Sequence, residues 1–193
     1  MDKRVVRTRA TLKSTLIDLV REHDFESINI GDLCKEANIN RVTFYTHYHD
    51  KYELLDDIFK DMHDYALKRA KELDMINNKM LDQHTAFVNY LQAFVEGLSS
   101  YDSLVYSMSK NQSGYIYFAY KSFLNSKLQK ALLYYNQKSD LKYPIEQITA
   151  FITNGLIGFV IEGITINKGR FTEVFKEAQE LFHRLIKNNI FIK

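Results

Sequence analysis

A single proline, Pro144, and only seven glycines interrupt a chain of 193 residues. Proline breaks a helix by removing a donor and clashing with the preceding turn, and glycine weakens its interior. A chain so poor in both is built for long uninterrupted helices, not for a turn-rich sandwich or barrel. Its length suffices for a real core, either as one domain or as a small and a larger domain packed together. With 46% hydrophobic and 26% charged residues it has the make-up of an ordinary globular protein. The lone Cys34 leaves no internal disulfide and no cysteine-based zinc site within one chain. Residues 150–161 are the most apolar stretch, about a dozen residues broken by Asn154, too short for a membrane span. The N-terminus has no apolar core of a secretion signal. The expectation is an all-α, cytoplasmic protein without a membrane partner.

The charge is local. The formal net charge is only +2, but Lys3, Arg4, Arg7, Arg9 and Lys13 face a single acid, Asp2, within residues 2–13. A basic stretch on an otherwise slightly acidic chain suits contact with a polyanion; the alternative is a frayed, solvated terminus. Aromatic residues are uneven too. Only Phe25, Phe44, Tyr45 and Tyr48 fall in the first 50 residues, and no linker rich in Gly, Ser or Pro follows them. A small N-terminal module, residues 1–50, should therefore share a long helix with a larger helical body, residues 51–193.

Periodicity places the helices. Leu12, Leu16, Leu19 and Val20 make an inward stripe on a helix over about residues 4–22. Asn29 reads as an N-cap with Asp32 as its third-position partner. Ile30, Leu33, Cys34 and Ala37 then follow at helical spacing. Asn38 suits a left-handed turn. Asn40 caps a second short helix in which Phe44 and Tyr48 face inward, and Asp50 caps a fourth helix over about residues 51–73. Further helices are expected over about 81–98, 102–109, 112–136, 145–167 and 172–189, the last capped by Thr172.

Residues 29–51 thus form a short helix, a tight turn and a second short helix, the helix-turn-helix arrangement whose second helix enters the DNA major groove. Small residues at Cys34 and Ala37 let the helices cross closely, and polar residues face outward from the second. The string from Asn29 to Leu55, above all Thr43-Phe44-Tyr45-Thr46-His47-Tyr48 followed by Lys51 and Leu54-Leu55, resembles the DNA-binding signature of the TetR/AcrR family of transcriptional regulators. Asn38 stands for the family's usual turn glycine, Asn40 for its capping serine, Cys34 for alanine and Tyr48 for phenylalanine. The resemblance covers roughly residues 5–60. It implies an N-terminal three-helix DNA-binding domain joined through a long helix to a helical ligand-binding and dimerisation domain.

Carried onto these positions, the resemblance implies base-edge contacts for Arg41 and Val42, with Thr43 beside them. Arginine can grip guanine with two hydrogen bonds, and valine can meet a thymine methyl. Tyr45, Thr46, His47 and Lys51 would hold phosphates, which set register and not sequence. Asn29 and Asn40 could offer amides as well, and Lys3 and Arg4 would extend the footprint. His47 and His49 stand two apart and do not face one another on a helix, so no metal pair is expected. Cys34 lies on an apolar stripe and reads as core.

No phosphate loop, metalloprotease helix or nucleophile elbow occurs, so no enzyme and no cofactor are expected. The expected function is a ligand-responsive regulator, a repressor, binding a palindromic double-stranded operator as a homodimer. The alternative is an interaction module or coactivator working through a partner protein. Tyrosines and phenylalanines crowd the central helices. Phe94, Tyr117, Tyr120, Phe118 and Tyr90 are the candidate walls for an unidentified effector, expected to be uncharged or weakly polar. The last two helices are the candidate dimer interface, through Ile152, Gly155, Phe159, Phe171, Val174, Phe175, Ala178, Leu181, Phe182 and Leu185. Gly155 and Gly158 would permit close helix approach there.

Overall fold

The computed structural model describes residues 2–80, 82–135, 141–166, 170–188 and 191. Its helices are α1 (Lys3–Glu22), α2 (Ile30–Glu36), α3 (Arg41–Tyr45), α4 (Lys51–Asn77), α5 (Gln83–Leu98), α6 (Asp102–Lys110), α7 (Tyr115–Tyr135), α8 (Ile145–Ile166) and α9 (Phe171–Lys187), with a 3-10 turn at Phe25–Ser27. Among the described residues there is no strand. The all-α expectation holds, with ends shifted by a few residues. The expected ends at 81, 136, 167 and 189 lie outside the described residues.

Local chemistry sets the early boundaries. Asp2 caps α1 by accepting from the Arg4 N–H at 2.9 Å. Asn29 accepts from Asp32 N–H at 3.0 Å and Asn40 from Val42 N–H at 2.8 Å, satisfying donors that a helix start leaves open. Asn38, at φ 53°, is the one non-glycine residue in the left-handed region among those described. Asp50 accepts from Glu53 N–H at 2.8 Å, while the Glu53 carboxylate takes the N–H of His49 at 2.7 Å. Thr172 does not cap α9, which begins one residue earlier.

One continuous apolar core runs from Leu12 on α1 to Phe182 on α9. Helix α4 packs along α5, α5 also carries α9, and α8 lies between α7 and α9. By length and composition α8 reaches the measure of a membrane span, contrary to the expectation from residues 150–161 alone. Half of that apolar window is buried inside the fold. Within the chain, close helix approach occurs at Gly163. A Cβ on Gly163 would lie 2.7 Å from Cγ1 of Val174, whereas among the described residues one on Gly155 would meet only Phe182 at 3.5 Å and one on Gly158 nothing within 4 Å. Val174 is fully buried and, being β-branched, stiff. Gly163→Ala should therefore cost about 1–3 kcal/mol despite alanine's better helix propensity. Urea denaturation would check it; a stabilised variant would mean that α9 slides freely on α8.

Candidate nucleic-acid interface

Helix α3 is only five residues long, and its position comes from what it buries. Phe44 is fully buried and Tyr48, just beyond the helix, nearly so. The opposite face is open: Arg41 and Thr46 are exposed, Val42 is 72% exposed and Tyr45 55%, with Thr43 and His47 half-buried beside them. The Tyr45 ring stands edge-on to Phe44 at 5.5 Å, which fixes its root while leaving the hydroxyl outward. The Arg41 guanidinium lies across α2. A Cβ on Gly31 would come within 2.0 Å of its Nη2, so Gly31 provides the space that Arg41 occupies. Cys34 beneath is buried, and burial pushes its thiol up against the weaker opposing field of Arg41.

The capping asparagines differ in what they leave free. Asn40 accepts from Val42 N–H, and its amide hydrogens have no partner among the described residues. Asn29 accepts from Asp32 N–H and also donates to the Asp32 carboxylate, so part of its donor capacity is already engaged. The Thr46 hydroxyl donates to the Thr43 carbonyl at 2.7 Å, and in this rotamer it can accept but not donate to a phosphate. Lys3 and Arg4 are exposed on the first turn of α1.

Lys51 is the clearest departure from the phosphate-contact expectation. Its ammonium donates to the carbonyls of Phe25, Glu26 and Ile28 at 2.8, 3.0 and 2.9 Å. It also sits 4.8 Å from the centroid of Phe25 and 5.5 Å from that of Tyr52. With all three hydrogens engaged and the side chain 11% exposed, it ties the start of α4 to the 3-10 turn. Tyr115, at the start of α7, joins the same cluster, stacked on Phe25 at 5.4 Å and edge-on to Tyr52 at 4.7 Å.

A second link was not visible in the sequence. Arg9 donates through Nε to the Tyr48 hydroxyl at 3.1 Å, and that hydroxyl donates to Asp57 at 2.8 Å. Arg9 and Lys13 both pair with Asp57 at 2.8 Å, and Lys13 reaches Asp61 as well. Burial opposes ionisation of Asp57, but hydrogen bonds from Lys13, Tyr48 and Arg9 together hold its carboxyl below the usual range. Two cations of the basic stretch are thus neutralised internally. The signal was Tyr48 itself, since a tyrosine on an inward face needs a partner for its hydroxyl.

The candidate effector residues do not converge. Phe94 and Tyr120 are core, Phe118 is 55% exposed, and Tyr117 packs half-buried against it. Tyr90 lines an open cleft with His63, Leu67, Lys71, Lys127 and Lys130. Helix α7 is apolar on several faces, and with Tyr120 turned into the core and Phe118 turned out of it, its candidate rings share no single wall with those of α5. The candidate dimer residues also divide. Ile152, Val174, Phe175, Ala178 and Phe182 are buried within the chain, because α9 docks on α5 and α8. Gly155 and Leu181 are exposed, and Phe159, Phe171 and Leu185 half-buried. Phe151 is 56% exposed on α8.

No family model matches this chain. A segment of 61 residues, 31% of the chain, is 43% identical to the HTH-type transcriptional regulator YxbF of Bacillus subtilis, of which it spans only 16%. The fold resembles a TetR-family regulator from Syntrophomonas wolfei, with TM-score 0.72, 15% identity, and 93% of this chain and 95% of the other covered. A TetR-family regulator from Marinobacter aquaeolei aligns over the full length of both chains, with TM-score 0.65 and 17% identity. The fold is that of the TetR-family transcription regulators.

Proposed function

We propose that this chain, with its TetR-type fold, is a transcription regulator that reads a palindromic operator as a homodimer and releases it on binding a small effector, so acting as a repressor. Residues 1–50 form the reading head and residues 51–193 the body. The observation that carries this reading is the outward face of α3. Arg41, Val42 and Tyr45 are displayed on a helix whose other side is locked by Phe44, with both its start and the preceding turn fixed by asparagines.

In this reading Arg41 leaves its place over Gly31 and, with Val42 and Thr43, meets base edges. Tyr45, His47 and the Asn40 amide hold phosphates, flanked by Lys3 and Arg4. One such helix offers little contact, and a two-fold dimer doubles it across half-sites about 34–36 Å apart or a multiple of that. Phe151, Gly155, Gly158 and Phe159 on α8 with Leu181 on α9 are the surface left for the partner copy.

A gel shift on the sequence upstream of the chain's own gene tests the reading. The wild type should give a specific, salt-sensitive shift. Arg41→Ala should weaken it by about 1–3 kcal/mol and relax preference at one base pair. Phe159→Glu should yield monomers in sedimentation and abolish tight binding. Absence of any specific shift would sink DNA reading, and a monomeric wild type at micromolar concentration would sink the dimer.

A further inference from the structure

Between α4, α5 and α7 lies a cleft of about 350 Å³, at the small end of the range for ligand pockets. Its inner wall is apolar and aromatic. Leu67 and Tyr90 line it with His63, whose ring sits among Tyr90, Phe94 and Phe123 at 6.1–6.3 Å between centroids. Its rim is cationic, with Lys71 from α4 and Lys127 and Lys130 from α7.

These lysines are not balanced by acids. Among the described residues no carboxylate pairs with Lys71, Lys127 or Lys130, and Lys127 only rides over the Phe123 ring at 5.0 Å. The contrast is the cleft beside Arg9 and Lys13, of the same size, where Asp57 and Asp61 take up both cations. The lysine field reaches inside. Burial first, then Lys127 and Lys130, keep His63 below its ordinary range against the opposing pull of Asp64, so the wall ring is neutral near pH 7. Near Tyr90, the fully buried Tyr120 hydroxyl has no hydrogen-bond partner among the described residues.

We infer that this cleft binds an anionic amphiphile, a compact apolar or aromatic body against Leu67, His63 and Tyr90 with a carboxylate or phosphate on Lys127, Lys130 and Lys71. The inference rests on the regulator reading for its purpose, and it replaces the uncharged effector expected from the tyrosines alone. An uncharged ligand would leave the three cations at the mouth without an ionic partner. An anion there gains charge-assisted hydrogen bonds from them. A ligand there could shift the DNA-binding equilibrium only through different affinity for the two geometries of the body.

Two fluorescent probes test the headgroup: 8-anilinonaphthalene-1-sulfonate, and N-phenyl-1-naphthylamine, the same kind of apolar body without the anion. The sulfonate should bind the wild type, and Lys127→Gln/Lys130→Gln should weaken it about tenfold or more while changing the uncharged probe by less than about twofold. Leu67→Trp, at a partly exposed wall position, should weaken both. Benzoate and phenyl phosphate then compete against the sulfonate, and whichever displaces it identifies the headgroup. An unchanged sulfonate affinity in the lysine variant, equal losses of both probes, indifference to Leu67→Trp, or displacement by neither competitor would overturn the inference. The titration is run without DNA. Its failure leaves DNA reading intact, and a missing gel shift beside a lysine-dependent titration does the reverse.

Discussion

Lys51→Met should lower the free energy of unfolding by about 2–4 kcal/mol and leave the salt dependence of DNA binding unchanged. Methionine replaces the apolar stem of the lysine and lacks only its last atom, so little cavity is created. What is lost is the donor set. The carbonyls of Phe25, Glu26 and Ile28 all lose the Lys51 ammonium, and those of Phe25 and Ile28 are part-buried. The contact of the cation with the Phe25 and Tyr52 faces goes as well. A phosphate-binding lysine would behave in the opposite way, sparing stability and reducing the salt slope by about one. Urea denaturation beside gel shifts at several salt concentrations separates the two. A stable variant with a flattened slope would return Lys51 to the DNA footprint.

Asp57→Ala should destabilise the chain by about 2 kcal/mol at neutral pH, below the figure for a fully buried pair because Arg9 is partly solvated. Arg9 and Lys13 would then face one another with no shared anion, and the Tyr48 hydroxyl would lose its acceptor. The same residue sets a pH dependence. Its carboxyl binds a proton less readily in the folded than in the unfolded chain. Its contribution is therefore complete above the unfolded value, about 3.9, and fades as the pH falls through the lower folded value. Wild type should lose its advantage over the variant from about pH 4 downward. Melting curves at pH 7, 4 and 3 check both claims, and a constant difference would show that Asp57 is not the titrating anchor.

What could be read from the sequence was whatever one turn of chain decides. Asn29, Asn40 and Asp50 cap helices through hydrogen bonds to residues two or three positions away, and Asn38 takes its positive φ from its own side chain's tolerance. Phe44 and Tyr48 turned inward because spacing alone puts them on one side. Lys51 could not be read this way, since its acceptors lie 23–26 residues back. The stripe on α9 was legible as apolar, but not what covers it: α5 and α8 take Val174, Phe175, Ala178 and Phe182 before any partner can. A pattern of apolar residues says that a face is buried and is silent on whose surface buries it. The central aromatics failed for a related reason. Their number suggested a pocket, yet Phe94 and Tyr120 fill the core, and the lysines that mark the open cleft come from two separate helices.

The stack of Tyr115 on Phe25 brings α7 to bear on the N-terminal three-helix unit, beside α4 and the α6 face that packs on α1. Helix α4 enters it directly, and α7 presses on it through an aromatic plate. Along α7, Tyr115 and Lys127 are separated by about 18 Å of helix axis. A tilt of α7 about its lysine end therefore carries the ring sideways by about 0.3 Å per degree over that length. A few degrees amount to an ångström, a large slip for rings 5.4 Å apart at their centres. The neighbouring Lys51 clasp would feel the same slip through Phe25 and Tyr52. The N-terminal unit is coupled to α7 as well as to α4, and a swing of one without the other would have to shear that plate.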